Sequence, residues 1–145
     1  MKIGGSHSLA VTADRAYTLL QDPEVLAKSM PGCDHLSRIG PDEYEMKMKM
    51  VIASIGGLFA GKVRLADQTP PAKFKLVVDG NGKIGFVKGE GMLTLEPQGE
   101  ETDVQYEGEV QVGGTIASVG QRLLDTTAKL IIKKFFEKLS EAAKA

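Results

Sequence analysis

The sequence predicts an α+β fold in which a curved antiparallel sheet wraps one long C-terminal amphipathic helix. Three observations predict it. Residues 43–52 and 102–112 alternate apolar and charged side chains with the period of a half-buried strand. From residue 114 to about residue 143 the period changes to that of a helix with one apolar arc. Between these, glycines recur on the apolar side of the strands, where glycine marks a bend or a close approach by another element.

Composition sets the outer bounds. A chain of 145 residues can bury roughly 68–70% of its unfolded surface, enough for a core with room for a cavity, and residues 1–145 read as one domain. Net charge is −1, which removes the basic excess that nucleic-acid binding requires. One cysteine, Cys33, excludes an internal disulfide and fits a reducing compartment. The N-terminus lacks an apolar run of signal-peptide length, and no run approaches the roughly 20 residues that span a bilayer. A soluble, cytoplasmic protein is the expectation.

Residues 2–10 read as a first strand with Ile3, Gly5, His7 and Leu9 on one face. Thr12 caps a short helix over residues 13–21. Asp22, Pro23 and Glu24 open a second over residues 23–30, with a capping acid, proline at the first helical position and a carboxylate at the positive end of the dipole. Pro31-Gly32 stops it. Residues 35–39 form a strand. In residues 43–52, Tyr44, Met46, Met48, Met50 and Ile52 oppose Glu43, Glu45, Lys47 and Lys49. Gly56-Gly57 turns the chain into residues 58–67, where Phe59, Gly61, Val63 and Leu65 share a face. Phe74, Leu76 and Val78 alternate after Pro70-Pro71, and Asp79-Gly80-Asn81-Gly82 supplies turn chemistry. Residues 84–96 and 102–112 complete seven strands, with Gly89, Gly91 and Gly108 on the apolar face.

On the final helix, Ile116, Val119, Gly120, Leu123, Leu124, Thr127, Leu130 and Ile131 form one arc against the sheet. Beyond it, Lys134 and Lys138 enter the arc while Ile132, Phe136 and Leu139 point to a different side. Thirty helical residues would span about 45 Å. A strand, two short helices, six more strands and a long helix, in that order, suggest a helix-grip architecture with a pocket between sheet and helix.

The ordered segments Asp22-Pro23-Glu24-Val25-Leu26-Ala27, Met30-Pro31-Gly32-Cys33, Gly61-Lys62-Val63-Arg64-Leu65, Gly89-Glu90-Gly91, residues 102–106 and Gly113-Gly114-Thr115-Ile116-Ala117-Ser118-Val119-Gly120 together resemble the carbon monoxide dehydrogenase CoxG family, of the START-like or SRPBCC superfamily. The resemblance implies the helix-grip fold, a deep apolar cavity and a non-catalytic accessory role beside a molybdenum-containing hydroxylase. It implies handling of a lipophilic quinone as well, and recruitment of the dehydrogenase to the cytoplasmic membrane. Some members carry a C-terminal apolar extension; here Lys144-Ala145 follow the helix directly, so peripheral placement at the inner face of the membrane is expected rather than integral anchoring.

The candidate ligand-binding set is His7, Tyr44, Met46, Met48, Met50, Val63, Leu65, Tyr106, Ile116, Val119 and Leu123. The methionines are flexible and polarizable, suited to a long irregular apolar molecule such as an isoprenoid quinone, and equally suited to filling a core. Tyr44 and Tyr106 are the inward groups able to hydrogen-bond a carbonyl or hydroxyl head. His7 is a contact to a head group, a proton relay, or a core histidine bonded to a neighbour. Ile132, Phe136 and Leu139, beside Lys129 and Lys133, form a docking stripe for a membrane, a partner enzyme or a second copy, or else pack on the first strand and short helices. With two histidines, His7 and His35, and one cysteine, no metal site is expected, and no resident cofactor beyond a candidate bound quinone. Cys33 is a reactive thiol or a small buried hydrophobe. The acids fall on the solvated face, and no catalytic or phosphate-binding motif occurs. The expected role is a carrier binding a lipophilic small molecule. The alternatives are an assembly or recruitment factor without ligand, and a cyclase- or dehydratase-type enzyme on the same scaffold.

Overall fold

The computed structural model describes residues 1–144; residue 145, the last of the span read as one domain, lies outside them. Seven strands run in the order β1-β7-β6-β5-β4-β3-β2, every neighbouring pair antiparallel. They are β1 (Lys2–Leu9), β2 (Cys33–Gly40), β3 (Glu43–Ile52), β4 (Ile55–Thr69), β5 (Lys73–Gly82), β6 (Gly85–Gln98) and β7 (Glu101–Gly113). Helices α1 (Ala13–Leu19) and α2 (Pro23–Ser29) link β1 to β2, the two edges, and α3 (Gln121–Ala143) closes the chain. The caps are as the sequence predicts: Thr12 accepts from the Arg15 amide, Asp22 from the Glu24 amide, and Pro23 begins α2.

Two turns lie elsewhere than expected. The β3–β4 turn is Ala53-Ser54, not Gly56-Gly57, because Gly57 is needed inside β4 beneath Ile84, whose carbons stand 3.2 Å from where a Cβ would be. Likewise β5 runs through the Asp79–Gly82 stretch and turns at Lys83-Ile84; a side chain on Gly82 would overlap the Leu58 carbonyl.

The C-terminal helix is also shorter than predicted. Residues Thr115–Val119 form a 3₁₀ turn, and Gly120, at φ +96° and ψ 154°, breaks the path before α3 begins. The remaining 23 residues rise about 34 Å. This break resets the helical phase. Leu124, Phe136 and Leu139 point inward, Phe136 and Leu139 being 4% and 0% exposed, whereas Leu123 and Leu130 are 37% and 49% exposed. Of the two places open to the Ile132, Phe136 and Leu139 stripe, it takes the inward one against β1 and the short helices, with Ile132 half-buried, and two members of the arc assigned to the sheet face outward.

The core has two parts. The larger joins Leu9, Ala16, Tyr17, Leu20, Tyr44, Leu65, Phe74, Leu95 and Val104 to Phe136, Leu139 and Ala143 of α3. The smaller, at the other end of the sheet, joins Ile52 and Phe59 to Ile116 and Leu124.

Candidate functional site

Between these two parts the inward face of the sheet is only half covered. α3 lies close to α2, α1 and the strands β1 and β3 near the two edges, rather than to the central strands β4–β7. Consequently Met46, Val63, Leu76, Val78, Leu93 and Val110, all pointing inward by strand alternation, are half-exposed. Registry adds to the room. Gly61 pairs with Gly80, and Gly91 with Gly108, so a diagonal of the concave face carries no side chains. The alternation puts Gly61, Gly91 and Gly108 on this face, whereas Gly80 was expected in a turn, and the alignment of all four across strands depends on registers that no single strand encodes.

One end of this surface is aromatic. His7 of β1 stacks on Phe136 of α3 with ring centroids 4.3 Å apart and 14° between planes, and Tyr106 of β7 stacks on Phe136 at 6.0 Å. The Tyr106 hydroxyl reaches over Gly5, where a Cβ would stand 2.8 Å from its oxygen. Burial raises the Tyr106 pKa above the ordinary phenol value. Burial likewise lowers that of His7, an effect partly opposed by the carboxylate of Glu137, so the imidazole is neutral at pH 7. Neither Tyr106 nor His7 hydrogen-bonds a protein side chain among the described residues, which leaves both polar atoms available on an apolar wall.

Tyr44 is different. It is 1% exposed; its hydroxyl donates to the Gln21 carbonyl and accepts from the Arg38 guanidinium at 3.1 Å. Around it, Tyr17 and Gln21 both donate to Gln68 Oε1, and Gln68 donates to Asp42. This network ties the α1–α2 corner to β2, β3 and β4. The expectation that Tyr44 offers its hydroxyl to a ligand is therefore corrected: that group is already committed.

The other expected residues separate as follows. Met46, Val63 and Tyr106 line the half-covered face; Met48 and Leu65 are buried. Met50 and Val119 pack against the smaller core, of which Ile116 is a fully buried member. Leu123 is exposed on the far side of α3. Ile132 borders the larger core, and Phe136, open from the sequence to docking or to packing, packs inward as the centre of the aromatic wall. The signal for it was present, since Ile132, Phe136 and Leu139 sit at helical spacing on one stripe. Cys33 is half-buried and its thiol pKa is raised by burial, which disfavours the reactive thiolate. Among the described residues, no group of three or more His, Cys, Asp or Glu is placed to hold a metal ion.

Two open grooves of about 760 and 610 Å³ lie on the opposite, convex face. Their walls include Lys2, Lys75, Lys88, Glu90, Glu107 and Glu109, and Lys75 is paired with Glu90 at 3.2 Å. Such charged linings do not suit a lipophilic molecule, and the concave face is the better candidate for one.

Residues 5–144 match the family model for the G subunit of carbon monoxide dehydrogenase (CoxG). The chain belongs to that family. No curated protein matches it. Among solved structures, this CoxG-family chain is similar to a conserved protein of Geobacillus kaustophilus at 36% identity and TM-score 0.94, with 99% of this chain and 95% of that one covered. It shares its fold with a START superfamily protein of Mycobacterium smegmatis, at 12% identity, TM-score 0.76 and coverage of 99% and 97%. The di-domain ARO/CYC protein BexL has the same fold at 12% identity and TM-score 0.69, with 97% of this chain matching 45% of that one. The helix-grip, START-like architecture is thus the fold of this CoxG-family protein. No helix among its described residues is long and apolar enough to cross a membrane.

Proposed function

We propose that this CoxG-family protein is a non-catalytic carrier that holds a lipophilic small molecule between α3 and the concave face of the sheet. The single observation that carries the reading is the half-covered apolar surface, cleared of side chains along the Gly61–Gly80 and Gly91–Gly108 diagonal and ending at the unpartnered Tyr106 hydroxyl. Exposed apolar surface of this kind is costly in water and is relieved by a ligand that covers it. A quinone fits: its ring would reach the aromatic wall, its carbonyl would accept from Tyr106, and its isoprenoid tail would lie along the trough towards Met46. The partner is a carbon monoxide dehydrogenase-type molybdenum hydroxylase, the association that the family's name carries. Because the half-exposed part of this face is chiefly apolar, with His7 and Tyr106 as its polar groups, binding is favoured over acid–base chemistry.

Native mass spectrometry of the purified protein with organic extraction tests the reading. A stoichiometric quinone or similar lipid is the expected result, while a protein that neither retains nor takes up any apolar ligand would sink it.

A membrane-recruitment role, with cytoplasmic, peripheral placement, is supported by a separate observation. Leu123 and Leu130, seven residues apart on α3, are exposed beside Arg122, Lys133 and Lys134, a pattern suited to an anionic lipid surface. Cosedimentation with anionic vesicles should drop in a Leu123→Asp, Leu130→Asp double variant; equal cosedimentation would remove this role.

A further inference from the structure

Strand β1 lies at the end of the sheet with one side bare. The Met1 amino group donates to the Val110 carbonyl, and the Val110 amide donates back to Met1. In an antiparallel pair such doubly bonded residues alternate with residues whose N–H and C=O point away. Ile3, Gly5, His7 and Leu9 therefore bond to β7, while Lys2, Gly4, Ser6 and Ser8 turn their backbone groups to the free side. All four are exposed, and no backbone bond among the described residues reaches them from that side. The opposite edge is guarded: β2 carries two register shifts and has α2 packed against it. β1 has an unbroken register and no proline, so it keeps a straight row of donors and acceptors of the kind that recruits another strand.

We propose that β1 pairs with β1 of a second copy of this chain, antiparallel across a two-fold axis at Gly5, so that the two sheets become one. The strand is complementary to itself in this register. Lys2 falls opposite Ser8 of the second copy, and Gly4 opposite Ser6. Every pair joins two residues whose backbone groups face the free side, so both strands satisfy their full rows. The small side chains of Gly4, Ser6 and Ser8 leave the approach open. Charge selects the register as well: Ser8 is paired with Asp103 of β7, so Lys2 enters a row that ends in a carboxylate, and does so twice by symmetry. Shifting one strand by two residues in either direction takes Lys2 out of that row and shortens the paired region. An interface of two strand edges is small, and belongs to the weak, concentration-dependent class below about 1,200 Å².

Sedimentation equilibrium across a wide concentration range reads the association directly, with no dependence on a ligand. A reversible monomer–dimer equilibrium is expected. Ser6→Pro removes a donor on the free side alone and leaves the bonds to β7 intact, so it should weaken the dimer about tenfold or more, as two symmetric bonds are lost. Ser8→Lys sets like charges against Lys2 of the second copy and should weaken it roughly fivefold, whereas Ser8→Glu should strengthen it. The Lys2→Glu, Ser8→Lys double variant should restore wild-type association. Should Ser6→Pro disturb the strand itself, the charge series alone decides. A protein that stays monomeric at all concentrations, or a dimer indifferent to these charges, overturns the proposal.

Discussion

Tyr44 and Tyr106 occupy equivalent-looking positions in the sequence, each inward on an alternating strand, yet their hydroxyls have opposite circumstances. The Tyr44 hydroxyl donates to the Gln21 carbonyl and accepts from the exposed Arg38 guanidinium, so Tyr44→Phe should lower stability by about 0.5–1.5 kcal/mol in urea denaturation, the ordinary value of a lost hydrogen bond, because Arg38 still donates to that carbonyl. Tyr106→Phe should leave stability nearly unchanged and weaken quinone affinity about 3- to 10-fold, the value of one hydrogen bond; equal effects of the two variants on affinity would contradict the assignment. The sequence could not separate them, because what occupies Tyr44 comes from a helix corner 23 residues away in the chain. His7 carries a pH dependence. Burial lowers its folded-state pKa below the ordinary histidine value of 6.5, so the unfolded chain binds the proton first as pH falls. Stability should therefore decline as pH drops through about 6.5 and below, and a His7→Phe variant, which keeps the stack on Phe136, should lose less of its melting temperature between pH 7.5 and pH 5.5. A wild type and variant with parallel pH profiles would show that His7 does not contribute.

Among the elements, α3 shows where sequence periodicity succeeds and where it misleads. The strand alternation of β3, β6 and β7 was legible because a period of two survives any local change in twist. Helical phase does not survive a break. Projecting Ile116 and Val119 through Gly120 as one continuous helix rotated the assigned arc towards Leu123 and Leu130, whereas the helix that starts afresh at Gln121 buries Leu124, Phe136 and Leu139. Truncation separates the two phases: Leu139→Ala should cost about 2–5 kcal/mol of unfolding free energy, and Leu130→Ala within about 0.5 kcal/mol. Gly120 itself should resist replacement. A Cβ there meets nothing within 4 Å, so the cost of Gly120→Ala would come from its positive-φ, extended-ψ backbone alone, a region almost reserved for glycine, about 1–3 kcal/mol by chemical denaturation.

At the scale of the molecule, the fold was readable because order and number of elements constrain it: two edge strands joined by short helices, and a last helix long enough to lie across a curved sheet. The site was readable only in part. Which inward side chains are covered depends on where α3 lies over the sheet and on where glycines meet across registers, and neither is encoded in any local pattern. If the half-covered face is a binding surface, a bound apolar ligand should raise the melting temperature in a concentration-dependent manner, as mass action requires.

The division of the core into two unequal parts has a kinetic consequence. Both parts are stitched by the same helix, but among the described residues the larger holds fourteen buried side chains and the smaller only four. Backbone amides in the C-terminal half of α3 can open to solvent only when the larger part comes apart, while those just after Gly120 need lose only Leu124 and its few neighbours. Hydrogen exchange along this one helix should then run on two clocks, slow towards Leu139 and fast near Gln121, with the boundary falling where α3 passes over the uncovered middle of the sheet.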